Sequence, residues 1–228
     1  MPAMAAPLEK LVHALLVVPL TLLPIINPLS SAPIFMMTAG DDPSNVRRLA
    51  RQVAINCWYV ILGALFVGTY VLDLFGISLP IVRVGGGLLV AASAWRMLER
   101  GEEDEVKAAV ARRQATTLSP QQIVEKSFFP ITFPLTTGPG TIAAAIALGA
   151  SLPREPARYV AAAAVTVVGA ALTVAAIYFV YRNAPRLLAR LGDVGTLVMA
   201  RLMAFVLLCI GIEILWTGWA GLNGLGKP

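Results

Sequence analysis

The chain has 228 residues, of which 57% are apolar or aromatic and only 14% are charged. Soluble domains carry about 25% charge to cover their surface, so composition excludes an ordinary water-soluble globule and makes the bilayer the solvent. The net charge of +5 says less than where the charges fall.

A membrane-spanning helix needs about 20 predominantly apolar residues, and six stretches reach that length. Leu11 to Gly40 contains no Asp, Glu, Lys or Arg, and neither do Val53 to Leu72, Ser127 to Pro153 and Tyr159 to Tyr181. Leu74 to Trp95 holds one charge, Arg83, and Val194 to Leu225 holds two, Arg201 and Glu213. Lys10 ahead of the first stretch imitates a secretory signal. The stretch is far longer than a signal core and rich in proline, so it is read as a retained first span. His13 falls at its entry and reads as an interfacial residue. Continuous apolar runs point to helices, whose backbone groups pair within their own segment, and against a β-barrel. Cys57 and Cys209 lie within apolar runs and read as small buried hydrophobes; no Cys/His cluster supports a metal site. The predicted fold is an all-α membrane protein of six transmembrane helices in one transmembrane domain, 1–228.

Loop charges set the orientation. Lys10, Arg154, Arg158 and Lys227 fall on one side, four in all. Twelve fall on the other: Arg47, Arg48 and Arg51; Arg96, Arg100, Lys107, Arg112, Arg113 and Lys126; and Arg182, Arg186 and Arg190. This places both termini outside the cell and the basic loops in the cytoplasm. The longest loop, about 99–126, mixes Glu102, Glu103, Asp104 and Glu105 with basic residues. It reads as a solvated linker or a short surface helix, and Ser119-Pro120 has the form of a helix start.

An internal repeat is visible. Residues 24–33 read Pro-Ile-Ile-Asn-Pro-Leu-Ser-Ser-Ala-Pro, and residues 130–139 read Pro-Ile-Thr-Phe-Pro-Leu-Thr-Thr-Gly-Pro. Five of ten positions are identical and three more exchange Ser for Thr or Ala for Gly. Arg83 and Arg201 are the basic residues well inside apolar runs, one in each half. Repeat one covers about 8–98 and repeat two about 127–222. Three spans per repeat give the halves opposite orientation, the inverted-repeat plan of many secondary transporters.

Proline removes a backbone donor and clashes with the preceding turn. Pro19, Pro24, Pro28 and Pro33, and Pro130, Pro134 and Pro139, are therefore expected to break spans 1 and 4 near the midplane, around Asn27 to Pro33 and Phe133 to Gly140. Broken backbone at that depth survives where it lines a polar cavity or is buried in protein. A half-helix starting near Pro139-Gly140 points free N–H groups and its positive dipole end inward, and the equivalent one is expected to start near Pro33. The candidate substrate-binding residues are Asn27, Pro28, Ser30, Ser31, Pro33, Pro134, Thr136, Thr137, Gly138, Pro139, Gly140 and Thr141. They suit an anionic or zwitterionic small solute. The bland alternative is that the Ser and Thr hydroxyls merely pair with backbone groups that the prolines free. Arg83 and Arg201 either neutralise a substrate carboxylate, serve as gating or charge-pairing residues, or snorkel. Glu213 either carries a proton or pairs with an arginine. Gly63, Gly68 and Gly85-Gly86-Gly87 suggest close helix packing. Trp95, Trp216 and Trp219 fall near span ends as interfacial anchors.

Several of these segments resemble the MarC family of bacterial inner-membrane proteins. Asn27-Pro28-Leu29 with Ala32-Pro33-Ile34-Phe35 is similar to its first-span signature, and Phe133-Pro134-Leu135 with Gly138-Pro139-Gly140 to its fourth. Phe75-Gly76-Ile77-Ser78-Leu79-Pro80, followed by Arg83 and Gly85-Gly86-Gly87, is similar to its third. The resemblance implies a six-span plasma-membrane protein with periplasmic termini. It makes small neutral amino acids such as glycine, alanine and serine the leading substrates.

The leading expectation is a secondary transporter driven by H+ or Na+, with no other cofactor. Its expected partners are the lipid bilayer and a small zwitterionic solute, with a homo-oligomer left open and no nucleic acid. The rivals are an exporter or channel for another small metabolite, and a non-transporting membrane scaffold or lipid-handling protein. No Ser-His-Asp set, carboxylate pair or phosphate loop appears, so an enzyme or an ATP-driven pump is not expected.

Overall fold

The computed structural model describes residues 5–40, 42–99, 118–153 and 155–225. Among these the regular elements are helices: α1 (Ala5–Ile26), α2 (Pro28–Ala39), α3 (Pro43–Phe66), α4 (Gly68–Leu74), α5 (Leu79–Glu99), α6 (Pro120–Lys126), α7 (Pro139–Ala150), α8 (Pro156–Arg182) and α9 (Ala184–Leu222). An irregular, wide-turned segment, Ser127–Thr136, joins α6 to α7. The charged run Glu102–Glu105 and the side chains of Lys10 and His13 lie outside the described residues.

Four continuous helices are long and apolar enough to cross a bilayer: Pro43–Phe66, Leu79–Glu99, Arg158–Arg182 and Val194–Leu222. Two more stretches reach that length as bent pairs. Leu15–Ile26 and Pro28–Ala39 meet at 55°, and Pro120–Thr136 and Pro139–Ala150 at 70°. The described residues therefore hold four candidate spans, or up to six if each bent pair is one span. Both bends fall at the proline-rich segments where breaks were expected. One detail is corrected. The second half of the first pair starts at Pro28 rather than near Pro33, because Asn27 can cap a helix from a left-handed conformation, leaving Pro33 inside α2.

Helices also run beyond the apolar stretches. Arg47, Arg48 and Arg51, expected in a loop, sit exposed on the first turns of α3. Arginine is a good helix former, and Asp42 caps this end with Pro43 in the first helical position. The Asp42 carboxylate accepts from the Ser44 N–H at 2.8 Å and from its hydroxyl at 2.9 Å. These bonds, the backbone one foremost, hold its pKa below the ordinary carboxylate value. The stabilisation is present at neutral pH and is lost as pH falls through the lowered value. Arg186 and Arg190 likewise lie on a helical stretch of α9 ahead of Gly192, whose φ of 65° breaks the helix before the membrane-spanning part. Ser119 starts α6 as expected, with a reciprocal cap between its side chain and that of Gln122.

The core is centred on α3. Leu49, Val53, Cys57, Ile61 and Leu65 recur every four residues and are essentially inaccessible, as one face of a helix requires. α7, α8 and the irregular segment pack around this stripe. Large apolar side chains cover the outward surface, including Leu88 of α5, Phe179 of α8 and Phe205 of α9. That surface is stable against lipid and not against water. Cys209 belongs to it: the residue is exposed on α9, not buried as expected, while Cys57 is buried, and both are free thiols. The exposed Trp95, Trp216 and Trp219 share the outward surface.

The most extensive seam is α5 against α9. A Cβ on Gly87 would collide with the Leu215 backbone nitrogen and stand 2.7 Å from the Gly211 carbonyl oxygen. One on Gly211 would stand 2.6 Å from the Ala91 nitrogen, and one on Gly218 2.7 Å from the Val84 nitrogen. Helices in lipid gain little from burying apolar area, so close backbone approach at small residues carries their association. Gly68, packed on Ile146, and Gly86, packed on Ala143, also serve close contacts, whereas Gly63 and Gly85 face open space.

Candidate solute-binding site

The site is built from the two breaks. At the first, Asn27 still donates its N–H to the Leu23 carbonyl at 2.8 Å, then turns left-handed at φ 45°, ψ 62°. Asparagine visits this region more readily than most residues. Pro28 has no N–H, so the Pro24 carbonyl loses its helical donor and the ladder ends. The Asn27 side-chain oxygen accepts from the Ser30 N–H at 3.4 Å, and the Ser31 hydroxyl donates to the Asn27 carbonyl at 3.1 Å.

The second break is longer. Phe129 and Phe133 are extended (φ −119° and −120°), each preceding a proline, as the steric demand of X-Pro favours. Phe133 stands at the register of Asn27, so the two repeats break at the same position. Beyond it the chain winds widely, with the Thr137 N–H reaching the Thr132 carbonyl at 2.7 Å. Threonine hydroxyls likewise reach carbonyls five residues back: Thr132 to Ser127 at 2.7 Å, Thr136 to Ile131 at 2.7 Å and Thr137 to Thr132 at 3.0 Å. Gly138 then starts α7, and a Cβ there would stand 2.6 Å from the Pro134 carbonyl oxygen.

One side chain ties the breaks together. The fully buried Tyr181 of α8 hydrogen-bonds through its hydroxyl to Ser31 at 3.0 Å and to Thr136 at 2.8 Å. Its ring stacks on Phe35 of α2 with centroids 4.6 Å apart. In the sequence Tyr181 stands out only as the end of an apolar run. The available signal was that a tyrosine in such a run needs a polar partner for its hydroxyl. Tyr181→Phe is expected to keep the stack and remove two hydrogen bonds, each worth about 1 kcal/mol. Thermal melting in detergent should fall by several degrees with helix content unchanged; an unchanged melting temperature would show that the bridge is energetically silent.

Between the breaks lies a cavity of about 600 Å³. It is lined by Asn27, Ser30 and Ser31 at the start of α2 and by Gly138, Pro139, Gly140 and Thr141 at the start of α7. Pro130, Pro134 and Leu135 of the irregular segment and Leu207 of α9 also contribute. Along α5 the lining runs from Leu89 and Val90, mid-helix, through Ser93 to Arg96 and Met97. The exposed Ser93 and Arg96 form its outer part. Two helix N-termini thus open on one space. The first N–H groups of α7 have no acceptor within the helix, and no side chain caps Gly138. The Asn27 amide nitrogen and the Ser30 hydroxyl have no hydrogen-bond partner among the described residues.

Eight of the twelve candidate binding residues line this cavity: Asn27, Ser30, Ser31, Pro134, Gly138, Pro139, Gly140 and Thr141. Pro28, Pro33, Thr136 and Thr137 do not; both threonines are fully buried with their hydroxyls taken up by carbonyls. Arg83, Arg201 and Glu213 are absent from the lining, and no ion pair joins them among the described residues. Arg201 and Glu213 are exposed on α9, with Glu213 3.5 Å from the Thr217 hydroxyl. The residue missed was Arg96. Ending the apolar run at Trp95 placed it in a loop, whereas the spacing Leu89, Ser93, Arg96 puts it on one helix face.

A family model described as MarC family integral membrane protein matches residues 12–223. The chain belongs to the MarC family. Among its relatives is the UPF0056 inner membrane protein MarC of Escherichia coli. In strain K12 it is 30% identical over 202 residues, covering 86% of this chain and 90% of the relative. The proteins of strains CFT073 and UTI89 give the same identity and coverage. No solved structure matches the chain. The MarC match takes in both broken helix pairs, α5 with Arg96, and Tyr181.

Proposed function

We propose that this MarC-family chain is a secondary transporter of small neutral amino acids, holding its solute between the broken helices of spans 1 and 4. The observation that carries this reading is the convergence of two helix N-termini on one cavity, beside the unpartnered Asn27 amide. Helix N-termini at interrupted spans are where transporters hold a substrate carboxylate. The lining also carries hydroxyl oxygens, those of Ser31, Ser93 and Thr141 among them, as neutral acceptors for an ammonium. On this reading six spans form two inverted three-helix repeats in the inner membrane. Both termini face the periplasm, and the Arg96 end of the cavity faces the cytoplasm. H+ or Na+ drives the cycle, and the chain catalyses no covalent chemistry.

The test is uptake of radiolabelled glycine, alanine and serine into proteoliposomes under imposed H+ or Na+ gradients. Saturable uptake is expected, at least tenfold reduced in Ser30→Leu, which fills the cavity without breaking a side-chain hydrogen bond. Absence of uptake by folded protein, under either gradient and in either direction, would move the assignment to export of another solute or to a scaffold.

A further inference from the structure

We propose that the cavity recognises its solute by the carboxylate alone, so that short monocarboxylates without an amino group are ligands of the same site. This rests on the reading of the cavity as the solute site and names the group that the site reads.

Four observations converge. Asn27 is 7% exposed and lines the cavity, and its amide nitrogen has no hydrogen-bond partner among the described residues. The capping bond from the Ser30 N–H occupies the amide oxygen, so the atom left free at this lining residue is a donor. The N-terminus of the twelve-residue α7 adds the uncapped N–H groups of Gly140 and Thr141 and a positive dipole end. Arg96, in the outer part of the α5 lining, adds a permanent positive charge to the same cavity. Finally, the described lining contains no Asp or Glu, and its remaining surface is largely apolar, with Ile25, Ile34, Leu89 and Leu207 among its members. Donors and positive charge suit an anion and the apolar wall a short hydrocarbon body. An ammonium finds only neutral acceptors in the described lining, such as the hydroxyl oxygens of Ser31, Ser93 and Thr141. Charge-assisted hydrogen bonds are about twice as strong as neutral ones, so the carboxylate dominates affinity and the amine is dispensable.

The experiment compares alanine, propionate and alaninamide, which share a body and differ in charged groups. The full chain, purified in detergent, is titrated by calorimetry and by thermal shift at constant ionic strength. The wild type and Arg96→Gln are compared, with Arg96→Lys as the charge-retaining control. Propionate and alanine are expected to bind saturably within about tenfold of each other, and alaninamide not to bind. Arg96→Gln should weaken propionate about tenfold, a loss on the scale of one charge-assisted bond, and Arg96→Lys should restore part of it. Because Arg96 is exposed at a helix end, unliganded melting should be the same in all three proteins. Alaninamide binding without propionate binding would overturn the proposal, as would binding by none of the three or propionate affinity unchanged in Arg96→Gln. Propionate binding without alanine binding would uphold it while removing neutral amino acids as the transported class.

Discussion

Replacing Gly87 with leucine is expected to abolish the folded state, while the same change at Gly85, two residues away, is expected to be tolerated. At Gly87 even a methyl group collides with the backbone of α9, at the Leu215 nitrogen and the Gly211 carbonyl. Backbone cannot rotate out of the way as a side chain can, so relief requires the helices to part. Overpacking a well-packed site costs about 1–3 kcal/mol when side chains can adjust; here the axes must separate and Gly211, packed on Ala91, loses its contact as well. At Gly85 nothing lies within 4 Å, and a leucine there joins an outer surface already bearing Leu88. Size-exclusion profiles and thermal melting in detergent should show Gly85→Leu monodisperse and within a few degrees of wild type. Gly87→Leu should be aggregated or unfolded. Equal behaviour of the two would mean that the α5–α9 seam is not where these contacts put it.

Asn27 caps α2 and, on the proposed reading, also donates to the solute; two substitutions should pull these roles apart. Asn27→Gly keeps the left-handed backbone open at no steric cost and forfeits only a few tenths of a kcal/mol as a cap. It removes the buried amide donor from the cavity. The protein should fold with its melting temperature changed by only a few degrees, and solute binding should fall at least tenfold. Asn27→Leu puts a branched side chain at φ 45°, costing about 1–2 kcal/mol in backbone strain and about 1 kcal/mol in lost capping. It should lower both stability and binding. Calorimetric binding measured beside thermal melting reads both effects. If Asn27→Gly bound solute as wild type does, the amide would be a helix cap and nothing more, and the cavity would lose its most buried donor.

Much of the fold was legible in the sequence because lipid leaves little freedom. Uncharged runs of span length must be helices, and prolines in register must interrupt them; both bends appear where the prolines stand. The candidate site was legible for a related reason. Helix N-termini created by proline expose donors whatever else surrounds them, and eight predicted residues share one cavity. What failed was assigning hydroxyls from composition. Ser30 and Thr136 occupy equivalent positions in the repeat, yet Ser30 opens on the cavity and Thr136 is consumed by the Ile131 carbonyl and Tyr181. The difference lies in the backbone. Asn27 can restart a helix at once, whereas Phe133 cannot cap, so the second chain unwinds until Gly138 and spends its threonines on freed carbonyls.

The sequence by itself determined the solvent, the helical class, the sites of the two breaks and the family, since each follows from local chemistry that every neighbour must accept. Only the tertiary structure decided which glycine of the Gly85-Gly86-Gly87 run meets a backbone, that Arg96 belongs to the cavity wall, that Tyr181 joins the two breaks, and that Arg83, Arg201 and Glu213 stand apart from it. Those outcomes depend on the rotation of each helix about its axis. In lipid that rotation is set by which small residues let two backbones touch, a property of pairs that no single segment carries.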